Sequence, residues 1–123
     1  MGMAWNLNSD RPIYAQLLEI IQLRIISGIY QPGKRLPSVR ELAVEAGVNP
    51  NTMQKALSEL ERSGLVTAMR TSGRVVTEDM EMIRQTKTAL AREQVHEFMD
   101  RMKKLGFDKE EVLRLLEQEV EHE

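Results

Sequence analysis

Residues 38–60, SVRELAVEAGVNPNTMQKALSEL, carry the punctuation of two short helices and the turn between them. Ser38 with Glu41 three residues on makes a capping box, in which hydroxyl and carboxylate each satisfy a free backbone N–H at the helix start. Val39, Leu42 and Ala43 form the apolar side of that helix. Gly47 ends it, because glycine takes the left-handed conformation of a helix terminus at little cost. Asn49 then caps a second helix, with Pro50 at the first position, where the missing proline N–H removes nothing. Met53, Ala56, Leu57 and Leu60 recur at i, i+3, i+4 and i+7 as its core-facing stripe, and Gly64 closes it. That stripe turns Asn51, Gln54, Lys55 and Ser58 outward.

The outward set has the chemistry of base reading. Asn and Gln pair in bidentate fashion with adenine, Ser and Thr bond base edges or phosphates, and a helix N-terminus attracts phosphate through its free N–H groups and dipole. Two short helices around a glycine-containing turn, the second with a polar leading end, describe a helix-turn-helix. Taken singly, each residue also fits a plainer role: Asn49 as a cap, Pro50 as a starter, the others as solvated side chains. The constellation is what points to nucleic acid.

Working outward, Asp10 ahead of Arg11-Pro12 offers an N-cap for a first helix, and Ile13, Leu17, Ile20, Ile21 and Ile25 recur at helical spacing until Gly28. The stretch YQPGKRLP, residues 30–37, holds two of the four prolines and a glycine and is expected to be a loop. After Gly64, LVTAM and RVVT flank Arg70-Thr71-Ser72-Gly73, which predicts a β-hairpin directly behind the second helix of the motif, the place of a wing. Arg70 and Arg74 flank its tip, where guanidinium groups reach backbone phosphate or a narrow minor groove, and Gly73 lets the backbone approach DNA closely. An exposed hairpin with two solvated arginines is the plainer alternative.

The C-terminal third reads differently. Met82, Ile83, Leu90, Val95, Phe98, Met99, Met102 and Leu105 make an interrupted helical stripe that stops at Gly106. Asp108 with Glu111 forms another capping box ahead of Val112, Leu113, Leu116 and Val120. Two amphipathic helices in an antiparallel hairpin have little core of their own. Their stripe is therefore expected either to bury against a second copy, giving a homodimer, or to fold back on the front of the chain.

Composition bounds the rest. The 123 residues, 41% hydrophobic, suffice for one small domain with an appendage. The absence of cysteine excludes a disulfide framework and a thiolate zinc site. The N-terminus lacks a basic patch followed by an apolar run, and no segment approaches the roughly 20 apolar residues of a bilayer span, so a cytoplasmic protein with no membrane association is expected. The formal net charge of −2 hides an asymmetry: residues 1–77 carry nine Lys/Arg against six Asp/Glu, a balance of +3, and residues 78–123 carry eight against 13, a balance of −5. A basic front and an acidic tail suggest two tasks. No phosphate-cradling glycine loop, GxSxG or cysteine is present, and the Glu93/His96 pair lacks further ligands, so neither an enzyme nor a metal or other cofactor is expected. Trp5 is expected to pack on the first helix or on a partner copy, with ligand stacking as the alternative.

The run from Pro12 to Val76 resembles the N-terminal winged helix-turn-helix domain of the GntR family of bacterial transcription regulators: a helix ending in Ser-Gly, the PGxxLPSxRxLA loop and helix, GVNPNT, LExxGLV and a glycine-tipped wing. The motif GVNPNT and the short helical tail resemble the YtrA subfamily, which lacks a large effector-binding domain. The resemblance implies DNA contacts from Arg40, Asn49, Asn51, Thr52 and Gln54, with Ser72 and Gly73 at the wing tip in the minor groove. Where arginines often stand in the wider family, this chain has Pro50 and Gln54.

The expected fold is thus mainly α with a small β-hairpin: a winged helix-turn-helix over residues 1–77 and a two-helix dimerisation region over 78–123. The expected DNA-binding set is Arg40, Asn49, Asn51, Thr52, Gln54, Lys55, Arg70, Ser72, Gly73 and Arg74, and the expected dimer contacts are Leu90, Val95, Phe98, Met99, Met102, Leu105, Val112 and Leu116. The expected function is a double-stranded DNA-binding regulator, a repressor that reads an inverted-repeat operator as a homodimer. A small-molecule effector, if the system uses one, is expected near residues 80–88 or at the dimer interface. The alternative is a winged-helix module that binds protein.

Overall fold

The computed structural model describes residues 5–71 and 73–122. Its elements run α1 (Ile13–Ile26), α2 (Val39–Ala46), α3 (Pro50–Ser63), β1 (Val66–Met69), β2 (Gly73–Val76), α4 (Met80–Lys104) and α5 (Lys109–Glu121). Two compact units divide at Lys87/Thr88.

In the first unit α3 packs on both α1 and α2. Its predicted stripe, Met53, Ala56, Leu57 and Leu60, is wholly buried against Leu17, Ile21 and Ile25 of α1 and Leu42 and Ala43 of α2. Burial of this kind, not local propensity, stabilises helices as short as the eight-residue α2. β1 and β2 pair antiparallel, Val66 opposite Val76 and Met69 opposite Gly73. Their inner ends, Leu65, Val66 and Val76, close the core from below α3.

The caps follow the local chemistry closely. Ser38 Oγ accepts from Glu41 N and the Glu41 carboxylate accepts from Ser38 N; Asn49 Oδ1 accepts from Asn51 N with Pro50 in the first turn. Gly64 ends α3 at φ +90°, and a Cβ there would crowd the Met82 thioether at 3.1–3.2 Å, so both backbone and packing call for glycine.

Three features depart from expectation. Asp10 does not cap α1: the helix starts after Pro12 with no side-chain cap. The buried amide of Gln16 organises that end instead, its Nε2 donating to Asn8 O and Arg11 O at 2.8 Å and its Oε1 accepting from Asn8 N at 2.9 Å. Residues 33–36 lie in a loop as expected, but that loop is hydrogen-bonded along β2: Gly33 N donates to Val76 O, Val76 N to Lys34 O and Leu36 N to Arg74 O, at 2.8–2.9 Å. An otherwise bare sheet edge is satisfied in this way. Finally, Met82 and Ile83, the first members of the tail stripe, lie against the core of the first unit, beneath an α4 start at which Asp79 Oδ1 accepts from the N–H groups of Glu81 and Met82.

Arg24 is the one buried charge of this core among the described residues. Its guanidinium stacks 4.1 Å from the Trp5 ring, donates to Tyr30 Oη at 2.6 Å and pairs with Glu45 at 3.3 Å. Trp5 thus packs on α1, and burial raises the Tyr30 pKa above its ordinary 10.0 despite the opposing Arg24 contact.

In the second unit Gly106 turns the chain after α4, with Phe107 N donating to Met102 O, and the Asp108/Glu111 capping box starts α5. Val112 of α5 is buried in this unit. An apolar groove of about 610 Å³ lies between the two helices, lined by Val95, Phe98 and Met99 from α4 and Val112, Leu113 and Leu116 from α5.

Candidate nucleic-acid interface

The surface in question is built from two helix starts and a hairpin. The Asn49 cap and Pro50 fix where α3 begins, and the buried stripe fixes its rotation, so the leading turn is presented outward. Asn49, Pro50, Asn51 and Gln54 are exposed and Thr52 is half-buried. The amide Nε2 of Gln54 donates to Ser58 Oγ at 3.2 Å, one turn along the same face, which holds the side chain along the helix. Asn49 uses its carbonyl oxygen in the cap and keeps its amide N–H groups free of that bond.

Arg40, in the first turn of α2, is exposed and joins no ion pair among the described residues. It lines a recess of about 400 Å³ together with Arg35, Ser38, Pro50, Gly73 and Arg74. The starts of α2 and α3 and the first residues of β2 therefore meet around one cationic hollow. Hydrogen bonds from Ser38 lower the Glu41 pKa, backbone N–H foremost, so this carboxylate stays anionic and committed to the cap of α2.

The hairpin turns back between Met69 and Gly73, with Arg70 exposed and Gly73 at φ +71°. Ser72 lies outside the described residues. Arg74 is not the free wing cation expected from the sequence: its Nε donates to Glu61 Oε1 at 2.6 Å, and its side chain is only 19% exposed. Lys55 is likewise engaged, its ammonium 3.9 Å from the centroid of the Tyr14 ring on α1. Both partners lie far away in sequence and leave no local signal. Arg35, absent from the expected set, is the cation that the recess adds. Its signal is the alternation of an exposed residue with the buried Leu36 behind Gly33, a strand-like pattern inside an apparent loop.

Of the expected dimer residues, Val112 is buried within its own unit, Leu90, Phe98, Met99 and Met102 are half-buried, and Val95, Leu105 and Leu116 are exposed. Among the described residues no three His, Cys, Asp or Glu side chains cluster as metal ligands, and no helix is long and apolar enough to cross a membrane.

The model of the bacterial regulatory proteins of the gntR family matches residues 13–76, the span from α1 through β2. The chain belongs to that family. It is 43% identical over 105 residues to the uncharacterized HTH-type transcriptional regulator YhcF of Bacillus subtilis, covering 85% of this chain and 87% of the relative. It is 37% identical over 100 residues to the HTH-type transcriptional repressor YtrA of the same organism, covering 81% and 72%. Among solved structures, a GntR family transcriptional regulator from Listeria monocytogenes superposes with TM-score 0.81 at 36% identity over 91% of this chain and 98% of that one. The DNA-binding domain of AraR in complex with operator ORX1 matches with TM-score 0.57 at 27% identity, over 63% of this chain and 99% of that one. The winged helix-turn-helix, the mainly helical fold and the YtrA-like character expected from the sequence all hold.

Proposed function

We propose that this GntR-type regulator is a sequence-specific double-stranded DNA-binding repressor, acting in the bacterial cytoplasm as a homodimer on an inverted-repeat operator. The observation that carries this reading is the exposed leading turn of α3, with Asn51 and Gln54 outward, beside the arginine-lined recess at the start of β2. In it α3 enters the major groove, where Asn51 and Gln54 meet base edges, Arg40, Asn49 and Thr52 fix the register, and the wing tip at Arg70, Ser72 and Gly73 follows the minor groove. Lys55 and Arg74 contribute positive potential from positions held by Tyr14 and Glu61.

Dimerisation is supported by the open groove of the second unit and by the apolar residues that rim it, a surface that a second copy covers isologously. A two-fold dimer places two α3 helices on half-sites roughly 34 Å apart. Repression is the role carried by the name of the YtrA relative.

Selection of random duplexes on the purified chain tests the reading. It predicts recovery of an inverted repeat, bound by a species of twice the 14.1 kDa chain mass. Failure to enrich any sequence, with binding insensitive to salt, favours the winged-helix protein-binding module instead, because duplex binding weakens steeply with ionic strength.

A further inference from the structure

Arg35 has no role in the set of contacts expected from the sequence, yet its backbone is held in place by pairing with β2. Residues 33–36 are hydrogen-bonded along β2, and Arg35 stands opposite Val75 in that pairing. Leu36 is buried in the core at 2% exposure, so the period-two alternation of an extended segment sends the Arg35 side chain to the outer face. There it reaches the start of β2, where the chain leaves the wing tip: a Cβ added to Gly73 would lie 3.6 Å from Arg35 Nε. A long cationic side chain is thus carried on a sheet edge rather than on a free loop.

Its surroundings select the ligand. Arg35 and Arg40 line the recess, and neither joins an ion pair among the described residues, whereas the third arginine there, Arg74, is held by Glu61. Two guanidinium groups with no carboxylate in direct contact, Arg35 feeling Glu41 only at longer range, next to the first turns of α2 and α3, suit an anion with several oxygens, which the planar N–H fork of arginine bonds in bidentate fashion. The recess lies between the start of α3 and the wing. If α3 occupies the major groove and the wing the neighbouring minor groove, the ridge that separates the two grooves is the sugar-phosphate backbone. A group between helix and wing therefore meets phosphate, not a base edge.

We infer that Arg35 is a sequence-independent phosphate clamp, seating a backbone phosphate of the duplex in the recess between the helix starts and the first residues of β2. This rests on the DNA-binding reading above and extends it to a residue outside the expected set. Because phosphate contacts position without specifying, Arg35 contributes to the affinity for every duplex and not to the choice among them.

The test is a salt titration of duplex binding by the full chain, using the inverted repeat recovered by selection and an unrelated duplex of equal length. The proteins are wild type, Arg35→Gln and Arg35→Lys. One lost phosphate contact lowers the steepness of log K against log salt by about 0.9, so over a fourfold rise in salt wild type loses about 3.5 times more affinity than Arg35→Gln. That reduction is expected equally on both duplexes, with the ratio of their affinities unchanged, and Arg35→Lys is expected to keep the wild-type slope. An unchanged slope in Arg35→Gln overturns the inference, and so does a loss confined to the selected repeat, which marks a base or shape contact. In both cases wild type still binds DNA, and the wider reading stands. If wild type shows no salt-dependent binding to either duplex, the DNA-binding reading fails and the clamp fails with it.

Discussion

Up to Lys87, the apolar stripes of the helices find partners inside the chain: α1 meets α3, α3 meets α2, and the inner ends of the hairpin close the remaining side. From Thr88 onward, among the described residues, only Val112 reaches comparable burial, while Val95, Leu105, Leu113, Leu116 and Val120 remain 43–70% exposed. Both units use the same devices of capping box, glycine stop and amphipathic helix, so local structure does not separate them. What separates them is whether the resulting faces are covered. The first unit buries its helix stripes in one core, and although Leu23, Ile29, Val44, Met69 and Met80 stay exposed, the surface at the starts of α2 and α3 is polar and cationic. The second leaves an apolar groove open between its helices, the surface on which the proposed homodimer rests.

That contrast is sharpest where a core residue of the first unit is set against exposed apolar residues of the second. Leu57→Ala removes a fully buried side chain from α3 and is expected to destabilise the first unit by about 2–5 kcal/mol, read as a lower melting temperature. Pairing Val95→Asp with Leu116→Asp is expected to leave that melting transition in place while the sedimenting mass falls to 14.1 kDa and affinity for the selected repeat drops with it. A loss of the first transition in this double variant breaks the division of labour.

Smaller effects probe the DNA face. Gln54→Ala is expected to relax preference at one base position by about 1–3 kcal/mol, measured by competition among single-substituted duplexes, and to leave other positions unchanged. Ser38→Ala removes the hydroxyl half of the α2 capping box and is expected to cost about 1 kcal/mol of stability, with a secondary loss of affinity because Arg40 sits in that first turn.

The least of these effects is one of pH. Glu41, whose folded pKa lies below its ordinary 4.5, contributes stability that is present above that value and lost as pH falls through the folded one. In an acid melting series wild type is therefore expected to lose this share, whereas Glu41→Gln has none to lose.

What could be read from the sequence was what lies within four residues. Ser38 with Glu41, Asn49 with Pro50 and Asp108 with Glu111 are local signatures, and the helical period of Met53, Ala56, Leu57 and Leu60 fixes which side of α3 is free. The pairs that remained hidden join distant positions: Arg74 with Glu61, Lys55 with Tyr14, and Arg24 with Trp5, Tyr30 and Glu45. Such pairs decide which cations are free for a ligand, so the fold was legible before the exact charge pattern of the surface. Asp10 illustrates the same limit in a helix cap, where a buried glutamine five residues beyond Arg11 outcompetes the nearer carboxylate for control of the chain. In the tail the amphipathic helices were readable, whereas the apolar groove left open between them was not, because periodicity reports a face and not what covers it.

The chain contains no cysteine, so a single introduced thiol reports on one place only. The most direct measurement is the rate of maleimide labelling of Asn51→Cys, with and without a saturating duplex carrying the selected repeat. Fast labelling of the free protein and strong protection by the duplex are predicted, since this position lies on the exposed leading turn of α3. An equal rate in the presence of fully bound duplex would mean that DNA sits elsewhere, and would contradict the assignment of α3 as the element that reads it.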